Sequence, residues 1–139
     1  MSIVHDFERA FNRQDVKALC DCFGADATYH DNFFGEHAGT ARLAAMFERM
    51  FREGRNYAWT MDTVVEGAGR AAAEWTFRYV VTDVIPRSAG RKVRFRGMSL
   101  FELEGGKIKA YREYFDVGVA LLQIGLKPES MAKVLARRA

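Results

Sequence analysis

The stretch YAWTMDTVV, Tyr57 to Val65, is where the period of the chain changes. Upstream, apolar residues recur three and four apart. From Tyr57 they alternate, with Trp59, Met61, Thr63 and Val65 on one face and the polar Thr60 and Asp62 between the first three. A period of two is the strand period, and one apolar face per strand means a sheet covered on one side. This switch divides the chain into a helical first part and a stranded second part.

Working upstream, Ile3, Phe7, Ala10 and Phe11 follow a cap residue at Ser2 and read as a helix. Asp15 caps a second helix carrying Val16, Leu19, Cys20 and Phe23, with Gly24 as its stop. Residues 27–34 read as a first strand and GEHAG as a loop. Thr40 opens a third helix whose face holds Leu43, Met46, Phe47, Met50 and Phe51, ended by Gly54. Downstream, GAGR is a turn, residues 71–84 a long strand, and IPRSAGRK a hairpin connection to residues 93–103. EGGK is a tight turn into residues 108–115. Asp116 caps the short helix VGVALLQIG, and a helix led by Pro128 follows. Helices first and a meander of strands afterwards predict an α+β domain over residues 1–139: a curved antiparallel sheet with helices packed into its hollow. Such a hollow leaves a pocket at its wide end.

With 139 residues, 49% of them hydrophobic, one domain with a substantial core is expected. The net charge is only +3. The run RKVRFR sets Lys92, Arg94 and Arg96 on one strand face. A solvated hairpin or a dimer contact explains it better than nucleic acid does, and no nucleic-acid partner is expected. Cys20 and Cys22 lie two apart on a helical stretch, so they point different ways and read as small buried thiols in a reducing cytosol. Met1 runs straight into the amphipathic SIVHDFERAF, and no apolar run approaches membrane-spanning length. A cytoplasmic protein with no membrane association is the expectation.

In DATYHDNFFG, Asp26 to Gly35, alternation sets Tyr29, Asp31 and Phe33 on one side and His30 on the other. An Asp among aromatics on a strand face is either a solvated edge residue or a carboxylate tuned by burial. YREYF puts Tyr111, Glu113 and Phe115 on one face, with the same question for Glu113. In WTFRYVV, Trp75, Phe77, Tyr79 and Val81 share a face and Arg78 lies on the other, which reads as outward. His5, His30 and His37 have no metal-ligand spacing; neither a metal nor another cofactor is expected.

The ordered set AFNRQDVKALCDCFGADATYHD, GTARLAAMF, EWTFRYVV and SLFELEGGKIKAYREYFDVGVALLQIGL resembles the SnoaL-like branch of the nuclear-transport-factor-2-like superfamily over nearly the whole chain. The resemblance implies a cone: a strongly bent mixed sheet, helices closing one side, a deep apolar pocket, and a homodimer through the outer sheet face. Asp31 matches the general-base aspartate of ketosteroid isomerases, whereas Phe7 and Ser99 stand where that family has its oxyanion-donating tyrosine and protonated aspartate. YREYFD is similar to a strand end of limonene epoxide hydrolases. There Glu113 falls at the water-activating aspartate, Tyr29 and Asp31 at the water-positioning tyrosine and asparagine, and Val80 at the acid. Asp116 matches an acidic position before the LLQIGL-type helix; a plain N-cap is the competing reading. The implied function is cofactor-independent acid–base chemistry (isomerase, cyclase or hydrolase type) on a hydrophobic small molecule of polycyclic, terpenoid or steroid-like shape. The catalytic candidates are Asp31, Glu113, Tyr29 and Asp116. Phe7, Phe11, Trp59, Trp75, Phe77, Ser99 and Phe101 are the substrate-binding candidates. The alternative is a non-catalytic ligand-binding or dimerisation module of the same fold.

Overall fold

The computed structural model describes residues 2–138; Met1 and Ala139, the ends of the expected domain, lie outside them. Helix α1 (Ile3–Asn12) and helix α2 (Val16–Asp21) lead into strand β1 (Phe23–Asp31), β2 (Gly35–Ala38) and helix α3 (Thr40–Glu53). Strands β3 (Gly54–Gly67), β4 (Arg70–Val81), β5 (Lys92–Glu104) and β6 (Lys107–Phe115) follow, then α4 (Val117–Ile124) and α5 (Pro128–Ala136). The strands form one curved, unclosed sheet in the order β2-β1-β6-β5-β4-β3. Its neighbours are antiparallel except β1 and β6, which run parallel.

Local chemistry accounts for the boundaries. Ser2, Asp15 and Asp116 each accept a hydrogen bond from a backbone N–H three residues on, starting α1, α2 and α4. Gly105 and Gly106 both take positive φ, the conformation that a two-residue turn between β5 and β6 requires. The apolar stripe of α1, Val4, Phe7, Ala10 and Phe11, is buried in the hollow of the sheet. Its polar side closes the β3 edge. The Asn12 amide donates to the Trp59 carbonyl at 2.9 Å and accepts from the Trp59 N–H at 2.7 Å. Glu8 accepts from the Met61 N–H at 2.7 Å. An edge strand left with free N–H and C=O groups invites pairing, and α1 removes that option while fixing Trp59.

The structure corrects the sequence reading in four places. GEHAG is not a loop: Gly35–Ala38 pairs antiparallel with β1, from Asp31↔Gly35 to Thr28↔Ala38. That strand lacks β-branched and aromatic residues, so propensity does not announce it. Strand β1 starts at Phe23, four residues earlier than expected, and Gly24 lies within it rather than stopping α2. The long strand β4 ends at Val81, short of residue 84. In β3 the pairing slips between Met61 and Thr63, so Val64 becomes the half-buried residue and Val65 is 65% exposed. The extra residue of a bulge reverses every side chain beyond it.

Candidate active site

Strands β3 to β6 turn their aromatic faces toward a cavity of about 580 Å³, a size that holds a small organic molecule. Trp59, Trp75 and Phe77 line it, joined by Phe33, Tyr57, Tyr79, Phe95 and Phe115. The rings make a continuous wall, with Phe95 stacked on Phe115 at 4.4 Å between centroids and Phe33 edge-on to Phe115 at 5.1 Å. Arg78 is exposed on the opposite sheet face, as the alternation predicts.

Two acids line the same cavity from different strands. Asp31, the last residue of β1, is 2% exposed, and Glu113 of β6 is 5% exposed. The parallel β1–β6 pairing, with Tyr29 beside Tyr111, brings them together. Asp31 Oδ1 accepts from the backbone N–H groups of Phe33 at 2.7 Å and Phe34 at 2.9 Å. This is an Asx-type turn that carries the chain into β2. Among the described residues no group donates to the other oxygen, Oδ2. The Asn32 N–H between them donates to Glu113 Oε2 at 3.1 Å, so the peptide after Asp31 touches the second acid.

Glu113 Oε1 ends a buried chain of hydrogen bonds. The Trp75 indole N–H donates to Ser99 Oγ at 2.8 Å, Ser99 and Tyr111 hydroxyls are 2.8 Å apart, and the Tyr111 hydroxyl donates to Oε1 at 2.7 Å. Each hydroxyl has one proton, so with Trp75 donating at one end the chain runs in one direction: Trp75 to Ser99 to Tyr111 to Glu113. Gly97 makes room for this. A Cβ there would lie 2.6 Å from the Trp75 ring and 2.6 Å from the Tyr114 carbonyl.

Burial pushes the Glu113 carboxyl well above the ordinary glutamate range, and the charge of Asp31 pushes it further; the hydroxyl of Tyr111 and the N–H of Asn32 oppose this. Burial also raises Asp31, but its two turn N–H groups, His37 and Arg138 pull it back. The two carboxyls therefore differ in degree: Asp31 holds two turn N–H groups on one oxygen and feels His37 and Arg138, whereas Glu113 is pushed further toward its protonated form by burial and by the charge of Asp31.

The other sequence candidates lie elsewhere. Phe7, Phe11 and Phe101 are fully buried in the packed core and are not among the cavity-lining residues. Ser99 belongs to the hydrogen-bond chain and does not reach the cavity. Tyr29 lies behind the wall, stacked on Tyr111 at 4.2 Å, its buried hydroxyl without a hydrogen-bond partner among the described residues. Asp116 is exposed and caps α4 through the Val119 N–H, outside the cavity. Sequence reasoning missed Tyr111, although the YREYF alternation already placed it beside Glu113. It also missed Phe33 and Phe34, and the arginines Arg49, Arg137 and Arg138 that line the cavity from α3 and the C-terminal end. Among the described residues no three His, Cys, Asp or Glu side chains gather as a metal-ligand group, and no helix is long and apolar enough to cross a membrane.

This arrangement of sheet, helices and cavity is that of a known class. The SnoaL-like domain family model matches residues 4–111, and the chain belongs to that family. No curated protein matches it by sequence. Solved structures do match, and they carry the nuclear-transport-factor-2-like cone. One is a hypothetical protein of ketosteroid isomerase-like fold from Catenulispora acidiphila DSM 44928, in complex with trimethylamine. It is 20% identical, with a TM-score of 0.80, and the match covers 91% of this chain and 95% of that one. A provisionally named polyketide cyclase from Pseudomonas putida KT2440 is 27% identical, with a TM-score of 0.78 and coverage of 88% and 98%. An LEH-like epoxide hydrolase from M. tuberculosis is 20% identical, with a TM-score of 0.73 and coverage of 99% and 94%.

Proposed function

We propose that this SnoaL-like protein is a cofactor-independent acid–base enzyme acting on a hydrophobic small molecule, with Asp31 as base and Glu113 as acid. The carrying observation is that two buried carboxyls of unlike bracing line one aromatic cavity. Asp31, held through Oδ1, offers Oδ2 to take a proton from a carbon next to a carbonyl, or from water. Glu113 gives its proton to the oxygen where charge develops. Charge is conserved: after the step Asp31 is neutral and Glu113 ionised, and return of one proton resets the pair. Glu113 thus supplies the acid that Val80 does not. Isomerisation, cyclisation and epoxide opening all use this exchange.

A panel of ketones, epoxides and polyketide-like esters tests the reading, with turnover and exchange of carbon-bound protons followed by NMR. Asp31→Asn keeps the turn but removes the base and is expected to lower the rate about 10²- to 10⁴-fold. Equal rates for the two proteins would overturn it. A second reading, a ligand-binding module without turnover, draws on the use of the Ser99 hydroxyl inside its hydrogen-bond chain, which leaves no free side-chain donor at that position for an oxyanion. In that case ligands bind and Asp31→Asn leaves affinity unchanged. A homodimer through the outer sheet face accompanies either reading; the paired Met98 and Tyr114, 51% and 60% exposed there, support it. Sedimentation of Tyr114→Lys as a monomer where the parent is a dimer is the expected result.

A further inference from the structure

We infer that the ligand of this cavity carries an anionic group, held at the mouth by Arg137 beside Arg138, while its apolar body lies on the aromatic wall. The inference rests on the cavity being a ligand site, and adds a chemical class to it.

Three arginines line the cavity: Arg49, Arg137 and Arg138. Two of them are fixed to one short turn. Arg49 lies 4.5 Å over the Phe34 ring, and Arg138 donates to the Phe33 carbonyl at 2.9 Å. That turn is also the one braced by Asp31, so the cationic rim and the acid pair are parts of one construction.

The lining acids do not offset the rim. Glu53 is bound to Arg49 at 2.8 Å. Asp31 and Glu113 are both nearly fully buried, and the charge of Asp31 disfavours a second charge on Glu113, so a single negative charge is the total they favour. Against three arginines this leaves about one positive charge uncompensated. Arg137 carries it: among the described residues no acidic side chain pairs with it. A cation at a helix C-terminus is favoured by the helix dipole, which accounts for Arg137 following α5. The dipole does not account for two consecutive arginines both lining an apolar hollow. The planar fork of a guanidinium matches carboxylate, sulfonate and phosphate groups, and a low-dielectric wall beside it strengthens the attraction.

Two fluorescent probes of one aromatic skeleton make the test: anilinonaphthalene sulfonate, and phenylnaphthylamine, which lacks the sulfonate. The intact protein is expected to bind the sulfonate at least about tenfold more tightly at low salt, with each probe displacing the other. Arg137→Glu is expected to weaken the sulfonate about tenfold and the neutral probe less than about twofold, and Arg137→Lys to retain part of the preference. Added salt weakens the sulfonate alone. Arg137 is exposed, so these variants leave the packing intact. Binding of both probes with equal affinity, unmoved by Arg137→Glu, overturns the inference and leaves the cavity as a neutral-ligand site. Failure of both probes to bind overturns the cavity reading and this inference together.

Discussion

The hollow of the sheet has two ends built from the same strands, and they have opposite fates. At the closed end, Phe7 and Phe11 of α1 enter as knobs and meet rings from several strands. Phe7 lies 5.1 Å from Trp59, 5.6 Å from Tyr111 and 5.8 Å from Phe101, and none of Phe7, Phe11 and Phe101 is accessible to solvent. At the open end, Trp75, Phe77, Phe95 and Phe115 alternate just as regularly on β4, β5 and β6, yet Met50 of α3, Leu121 of α4 and Val134 of α5 only line the space before them, and among the described residues nothing fills it. Strand pattern is therefore not what separates core from site. The presence of a helical knob in front of the rings is, and both acids stand where α1 stops filling the hollow.

The largest effect expected from this contrast is on stability. Phe7→Ala removes a ring touched from all sides and is expected to cost about 3–5 kcal/mol in denaturant unfolding. Phe95→Ala deletes a ring that lines the cavity and should cost clearly less. Equal losses would mean that the two ends are not different materials. Next in size is Gly97→Ala, which pushes a methyl against the Trp75 ring and the Tyr114 carbonyl and should cost about 1–3 kcal/mol. Restoring stability with the double change Gly97→Ala, Trp75→Phe would show that the glycine serves the indole.

How far the sequence reveals this contrast follows from what alternation encodes. It tells the face of a strand, so Trp75 and Phe77 are legible as inward and Arg78 as outward. It does not tell depth along the hollow, and Phe7, Phe11 and Phe101 read as pocket wall although they are core. Caps at Ser2, Asp15 and Asp116 are local hydrogen bonds and are visible in the chain. Asp31 and Glu113 stand out because acids among aromatics on a strand face are costly unless paired or functional. The remaining features depend on partners far apart in sequence. The Arg138 bond to Phe33, the Asn12 clamp on Trp59 and the bulge after Met61 exist only once the sheet has formed.

Glu113→Gln sharpens the comparison through pH. Both acids are raised in the fold relative to ordinary carboxylates, so the folded state binds more protons than the unfolded chain. The stability of their protonated forms is fully present below about pH 4 and is lost as pH rises through the raised values. The melting temperature of the parent is therefore expected to fall from about pH 4 upward, beyond any change set by exposed groups. Gln, neutral at every pH, should flatten that slope, whereas Glu102→Gln should not, because Glu102 is paired with Arg112 at the surface. A slope unaltered by Glu113→Gln would mean that the proton resides elsewhere.

The smallest effect expected is that of Tyr111→Phe, and it bears on the boundary between the two ends. The Tyr111 ring packs against Phe7 and Phe101 on the closed side, while its hydroxyl reaches Glu113 on the open side. Phenylalanine keeps the packing and deletes the hydroxyl, at a cost of about 1 kcal/mol. The deleted bond favours the ionised form of Glu113, so without it the carboxyl should hold its proton to higher pH. The infrared carbonyl band of protonated Glu113, assigned by its loss in Glu113→Gln, should then persist to higher pH in Tyr111→Phe. Ser99→Ala, one link further back, should move it in the same direction by less. Identical titration of the band in parent and Tyr111→Phe would mean that the chain from Trp75 ends in a purely structural bond, and that the two ends of the hollow share a ring but not a proton.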